Sequence, residues 1–161
     1  VGLILQTAAG QKIFSVLVDP YERSFRFVSN HLLIPKEREP DRETVLQALR
    51  TGSSYIAFDQ ISDPNGFAFY ARRGRRTMPM GSTVPTGTEL VVQAPLLSLF
   101  RVIRPHGPDL ELEGSYFVIR ADRPGPYRVE VYPRGVPSLL EDKPWILSNP
   151  IYVREPGDAR D

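Results

Sequence analysis

The amino-acid sequence predicts a mainly β protein, an immunoglobulin-like antiparallel sandwich preceded by a short α-helical segment. Three observations carry this. The chain changes character near Gly52, with helical signals before it and strand and turn signals after it. From Tyr55 onward, short apolar runs are separated by Gly, Pro, Asn and Asp, the pattern of an antiparallel sandwich. About seven such runs over about 100 residues match the size of an immunoglobulin-like domain, although strand order does not follow from a count.

The 161 residues can close one sizeable core, or hold a short segment packed against a domain of about 100 residues. With 41% hydrophobic and 24% charged residues, disorder is not the default for the chain. Twenty basic against 19 acidic residues leave a formal charge of +1, too little for a global field that draws in nucleic acid or a membrane. Neither partner is expected, and any basic site must be local. The absence of cysteine excludes disulfides, thiolate zinc sites and cysteine nucleophiles. It leaves cytoplasm and periplasm both open. V-G-L-I-L-Q-T-A-A-G has neither a basic n-region nor a signal-length apolar run, and no stretch reaches the roughly 18 apolar residues of a membrane span. The chain reads as a soluble piece of something longer.

Taken in order, the first element is a helix started by Asp19-Pro20-Tyr21-Glu22, with Asp19 as cap and Pro20 at the first helical position. Tyr21, Phe25, Val28 and Leu32 form its apolar stripe. It ends near Asn30, because Pro35 disfavours helical geometry at Ile34. A second helix starts after Pro40 with Asp41 as cap, turns Val45, Leu46 and Leu49 inward, and stops at Gly52. Both are too short to stand alone and need either the following sheet or something upstream to pack on. Strands are predicted at 55–59, 66–72, 88–94, 99–104, 115–121, 127–132 and 151–154, with a short extra one at 110–113. Asp63-Pro64-Asn65-Gly66 is turn chemistry. In the alternating run from Tyr127, Tyr127, Val129 and Val131 face the core while Arg128 and Glu130 face water. Residues 155–161 read as a disordered tail.

The run P-W-I-L-S-N-P-I-Y-V-R holds the only tryptophan. Its prolines confine it to strand entry and exit, and Ser148-Asn149-Pro150 separates two apolar triplets that can join different pairings. Trp145 is expected in the core or at an interface, its indole nitrogen needing one partner.

Candidate chemistry is sparse. His31 and His106 are 75 positions apart, and neither has a second histidine or a carboxylate at metal-ligand spacing. His31 reads either as a hydrogen-bonded histidine at a helix end or as a residue at the edge of an active site. His106, in R-P-H-G-P, reads as a loop residue. Arg72, Arg73, Arg75 and Arg76 surround Gly74 where a strand runs into a loop, a solvated surface or an anion or interface contact. Asp59 and Asp63 read as a turn-forming pair. There is no G-x-S-x-G elbow and no glycine-rich phosphate loop with its lysine.

Five stretches carry a resemblance in order: D-P-Y-E-R-S-F-R-F-V-S-N-H-L-L, L-R-T-G-S-S-Y-I-A-F-D, D-P-N-G-F-A-F-Y-A, G-P-Y-R-V-E-V-Y and W-I-L-S-N-P-I-Y-V. Together they resemble the C-terminal portion of bacterial PHP-type (polymerase and histidinol phosphatase) metal-dependent phosphoesterases, from Asp19 to Arg154. The resemblance implies an upstream barrel holding divalent metal ions through H-x-H and D-x-H ligands, and neither motif occurs in this chain. It further implies that 1–52 are the last elements of that truncated α/β barrel, with 53–154 an appended sandwich and no cofactor of its own. His31 matches a histidine that such relatives show before Leu-Leu. The expected partner is the upstream barrel domain of the same polypeptide; otherwise the helical faces, Tyr21 and Phe25 included, are covered by a second copy in a homodimer. The chain alone is expected to be inactive, and to be a non-catalytic accessory region that shapes substrate access. The alternative is an immunoglobulin-like module that binds carbohydrate or protein through Trp145, Tyr132 and the arginine loop.

Overall fold

The computed structural model describes residues 2–6, 12–17 and 27–156. Tyr21, Phe25, the start of the first predicted helix and positions 157–161 lie outside the described residues. Strands β1 (Gly2–Gln6) and β2 (Lys12–Leu17) pair antiparallel, Gly2 opposite Leu17. Then follow β3 (Ser29–Leu32), α1 (Arg42–Thr51), β4 (Ser54–Ala57), β5 (Ala68–Arg73), β6 (Arg76–Pro79), β7 (Thr83–Pro85), β8 (Thr88–Ile103), β9 (Leu110–Ala121) and β10 (Gly125–Pro133). A short α2 (Ser138–Glu141), β11 (Ile146–Ser148) and β12 (Ile151–Arg154) complete the described chain. The protein is mainly β.

One curled ten-stranded sheet runs β3-β4-β11-β10-β8-β5-β6, with β9 on the other side of β8 and β12 linking β10 to β7. Every pairing is antiparallel except that of β12 with β7. The strands predicted at 88–94 and 99–104 are one strand, β8. Its first half pairs with β5 through Glu89 to Gln93, and its second half with β10 through Ser98 to Ile103. Between Gln93 and Ser98 the register slips, so that Ala94, Pro95, Leu96 and Leu97 lie against Ser115 alone on β9. Proline is tolerated there because a bulge residue owes the ladder no N–H. The predicted break between 110–113 and 115–121 is likewise a bend inside β9. At Gly114, a side chain would collide with the Phe117 ring, which meets Phe100 edge to face at 5.6 Å.

The stretch before Gly52 is not uniformly helical, since β1, β2 and β3 lie within it. Val28 and Leu32, assigned above to a helical stripe, are outside any helix; Leu32 pairs with Ser54 in β3. Pro35 pushes the chain before it into extended geometry, and the edge of β4 supplies hydrogen bonds that a fraying helix end lacks. α1 has the predicted ends. Asp41 accepts from the Thr44 N–H at 2.8 Å, and Gly52 takes the left-handed conformation at φ 68°. Its inward face differs from the prediction: Ala48 is buried, Val45 and Leu46 are half-buried, and Leu49 stays 46% exposed. The helix end lies so close to Gly81 that a β-carbon there would strike the Thr51 carbonyl.

Tyr127, Val129 and Val131 face the core and Arg128 is exposed, as the alternation predicts, while Glu130 on the same outer side is half-buried against Tyr132 and two arginines. Trp145 is fully buried among Phe69, Phe100, Met80 and Ile146. Its indole N–H donates to the Ser62 carbonyl at 2.9 Å. Its backbone N–H donates to Val131 at 2.7 Å, and its carbonyl accepts from Phe58 at 2.9 Å. One residue thus ties β10, the end of β4 and the following loop. The two apolar triplets join different pairings as expected: β11 lies between β10 and β4, β12 between β10 and β7. Among the described residues no buried side-chain polar atom lacks a partner, and no helix is long and apolar enough to cross a membrane.

Trp145→Ala should cost about 3–5 kcal/mol by opening a cavity. Trp145→Phe should cost less, about 1–3 kcal/mol, mainly by leaving the Ser62 carbonyl without its donor. Urea unfolding followed by circular dichroism checks both, since neither variant retains a tryptophan signal. Equal losses would remove the indole hydrogen bond from the account.

Candidate functional site

β3 and β4 bring together side chains that are far apart in the chain. His31 lies opposite Tyr55 in the register, and their rings stack at 4.8 Å with 4° between planes. Tyr55 in turn meets Phe67 at 4.9 Å, edge to face. Phe67 is delivered by the predicted turn, in which Asp63 accepts from the Asn65 N–H and Pro64 from the Phe67 N–H. Asp59, just beyond β4, places Oδ1 2.9 Å from His31 Nε2.

The reading of Asp59 and Asp63 as one turn-forming pair is therefore corrected: Asp63 builds the turn, while Asp59 holds the histidine. His31 itself is in a strand rather than at a helix end, half-buried with 28% of its side chain exposed. Burial of Asp59 pushes its carboxyl up, but hydrogen bonds from Ser29 and His31 and the imidazole charge outweigh this and hold it below the ordinary carboxylate range. The ionised carboxylate accepts from Nε2–H and leaves Nδ1 as the other ring nitrogen. Burial, then the charges of Asp59 and Asp63, push the Tyr55 hydroxyl above its ordinary value, so the phenol is neutral near pH 7.

Chemically this is an imidazole oriented by a carboxylate. A neutral phenol with a raised pKa does not attack at neutral pH. Two potential metal ligands do not make a site, and among the described residues no group of three histidines or carboxylates can hold a metal ion. The motif L-R-T-G-S-S-Y-I-A-F-D already contained Asp59, but its link to His31 spans 28 positions and leaves no trace in local spacing.

The remaining candidates lie elsewhere. Arg72 to Arg76 form a tight hairpin rather than a strand running into a loop, with Arg73 opposite Arg76 and Gly74 left-handed at φ 60°. Arg72 pairs with Glu89 at 2.9 Å. Arg73, Arg75 and Arg76 are exposed, and among the described residues no carboxylate is within ion-pairing reach of them. Trp145 and Tyr127 are buried in the core. The Tyr132 hydroxyl donates to Glu130 at 2.8 Å, and the Arg101 guanidinium lies 5.0 Å over its ring. A cleft of about 640 Å³ separates α1 from the β6–β7 connection, lined by Leu33, Ala48, Thr51 and Met80 with Arg38 at its edge.

The Asp59 carboxyl, lowered in the folded state, stabilises the fold fully above the ordinary aspartate range of about pH 4. That stabilisation is lost as the pH falls through the lowered folded value. Asp59→Asn should cost roughly 1 kcal/mol at pH 7, discounted for partial exposure, and should flatten the loss of stability below about pH 4. Urea midpoints measured from pH 7 to pH 3 check this; parallel profiles would show that the pair contributes nothing.

Comparison with protein-family models, curated proteins and solved structures finds no match to this chain.

Proposed function

We propose that the chain is the non-catalytic accessory region of a PHP-type metal-dependent phosphoesterase, packed on the metal-binding barrel and shaping access to its substrate opening. In this reading 1–52 are the last elements of the truncated α/β barrel and 53–154 the appended immunoglobulin-like sandwich, with β3 of the first segment joined to β4 of the second.

The observation that carries it is the convergence of the resembling stretches. S-N-H-L forms β3 beside S-Y-I-A in β4, W-I-L-S runs into β11 beside β4, and Y-R-V-E-V-Y lies in β10 beside β11. Phe67, from D-P-N-G-F, completes the row His31, Tyr55, Phe67. Stretches scattered over more than a hundred positions thus specify one packed unit, which supports reading them as one family feature rather than five coincidences.

A second observation supports packing against a partner. Phe27, Val28, Leu49 and Ile56 are each at least 40% exposed. Among the described residues β3 has no strand on its outer edge. Such apolar surface and a bare edge at the N-terminal end favour a covered position over an isolated one. The module that binds carbohydrate or protein loses its proposed aromatic contacts, because Trp145 is buried and Tyr132 is engaged by Glu130 and Arg101.

The chain's described residues do not fit a metal cluster, so the ions of such an enzyme would be held by the upstream barrel. With manganese or zinc added, the 161-residue chain should hydrolyse none of a panel of phosphate monoesters and diesters. The longer protein should hydrolyse some of them, and deleting residues 53–161 from a still-folded barrel should shift KM several-fold. Hydrolysis by the chain alone, or unchanged kinetics after the deletion, would overturn the assignment.

A further inference from the structure

The bend in β8 and β9 has a result at the far ends of that ribbon. The connection after β8 and the turn after β9 are brought face to face, and Gly125 packs on Pro105 so closely that a β-carbon would lie 2.3 Å from the proline Cβ. Gly125 also has φ 125°, which a side chain disfavours, so glycine is required here on both counts. Between the two turns lies a cleft of about 340 Å³, lined by Arg104, His106, Arg120, Asp122, Arg123 and Tyr127 among others.

We propose that this seam binds the phosphoryl group of a small molecule. Three arginines and one aspartate line it, a balance of +2 with His106 neutral, against +1 for the whole chain. Two of the three arginine heads are held by hydrogen bonds. Arg104 donates through Nε and Nη2 to the Pro108 carbonyl of its own turn, at 3.2 Å for Nε. Arg120 donates through Nε to Asp122 Oδ1 at 2.9 Å. The Tyr127 hydroxyl donates to the Arg123 carbonyl at 3.1 Å and accepts from the Arg123 N–H at 3.3 Å, fixing that turn while leaving the guanidinium free of any ion pair among the described residues.

These contacts use Nε of Arg120, and Nε with one terminal nitrogen of Arg104. The other terminal nitrogens and the whole Arg123 head keep their hydrogens for a ligand. Donors arriving from three chain positions suit an anion with oxygens in several directions, a tetrahedral phosphoryl group, better than a planar carboxylate. The volume lies at the small end of the range for ligand sites, enough for a phosphoryl group and a compact body. On the arginine hairpin Arg72 is paired with Glu89, whereas Arg73 has no ion pair among the described residues and lies outside the cleft, so Arg73 serves as a basic control. Nothing in this inference depends on the phosphoesterase reading.

The test is an amide chemical-shift titration of the chain with inorganic phosphate, a sugar phosphate and the same sugar without phosphate, at constant ionic strength. Saturable shifts confined to 104–109 and 120–127 are expected for both phosphate probes and not for the sugar. Arg123→Ala and Arg123→Gln should each weaken binding at least tenfold, whereas Arg73→Ala should leave it unchanged. Tighter binding of the sugar phosphate would show that the cleft holds the whole molecule, and equal binding that it reads the phosphoryl group alone; both support the site. Absent shifts, shifts produced equally by chloride, or equal losses in the Arg73 and Arg123 variants would overturn it. Unchanged thermal melts of the exposed-site variants separate lost binding from lost fold.

Discussion

Strand β8 cannot stay straight, and the rest of the sheet depends on where it bends. Sixteen residues fully extended would reach about 50 Å, far more than a chain of this size can cover with one flat layer. The four residues from Ala94 to Leu97, set against Ser115 alone, let the strand turn while both halves keep their inward residues inward. Leu90, Val92 and Ala94 before the bend, and Ser98, Phe100 and Val102 after it, are all buried. The bend hands β8 from β5 to β10, and β10 then carries β11 and β12. Trp145 closes the arrangement by bonding to both neighbours of β11 and to the loop behind them.

What the sequence made legible was local. Asp41 and Gly52 cap a helix because their side-chain chemistry and backbone freedom act within four residues. Asp63 builds its turn for the same reason, and the alternation from Tyr127 reports which face is wet. Trp145 was legible as a buried residue needing one acceptor. The gaps predicted at 95–98 and at 114 fall where β8 and β9 are irregular, but composition does not distinguish the end of a strand from a bulge inside one. β3 was hidden because Val28 and Leu32 fall at helical spacing, whereas its strand geometry is dictated by β4, more than twenty positions away.

The polar sites show the same division. The arginine run was conspicuous in sequence and forms an exposed hairpin tip, where Arg73, Arg75 and Arg76 have no ion pair among the described residues. The seam arginines are dispersed as R-P-H-G-P and R-A-D-R-P-G-P, and nothing local says that the two turns meet. The shared Arg-Pro and Gly-Pro punctuation was the available signal, and only the curl of β8 and β9 gives it meaning. The His31 and Asp59 pair likewise exists because β3 adds to β4, so it is a consequence of the sheet rather than a motif in its own right. It orients an imidazole and stacks it on Tyr55.

The curl is tested most directly by nuclear Overhauser contacts between the Gly125 α-protons and the Pro105 ring. The folded ribbon predicts strong cross-peaks between these residues, which stand at opposite ends of the β8 and β9 hairpin. Their absence, with the Leu90 to Ile119 and Phe100 to Leu112 pairings still intact, would mean that the ribbon runs straight and that the seam does not form.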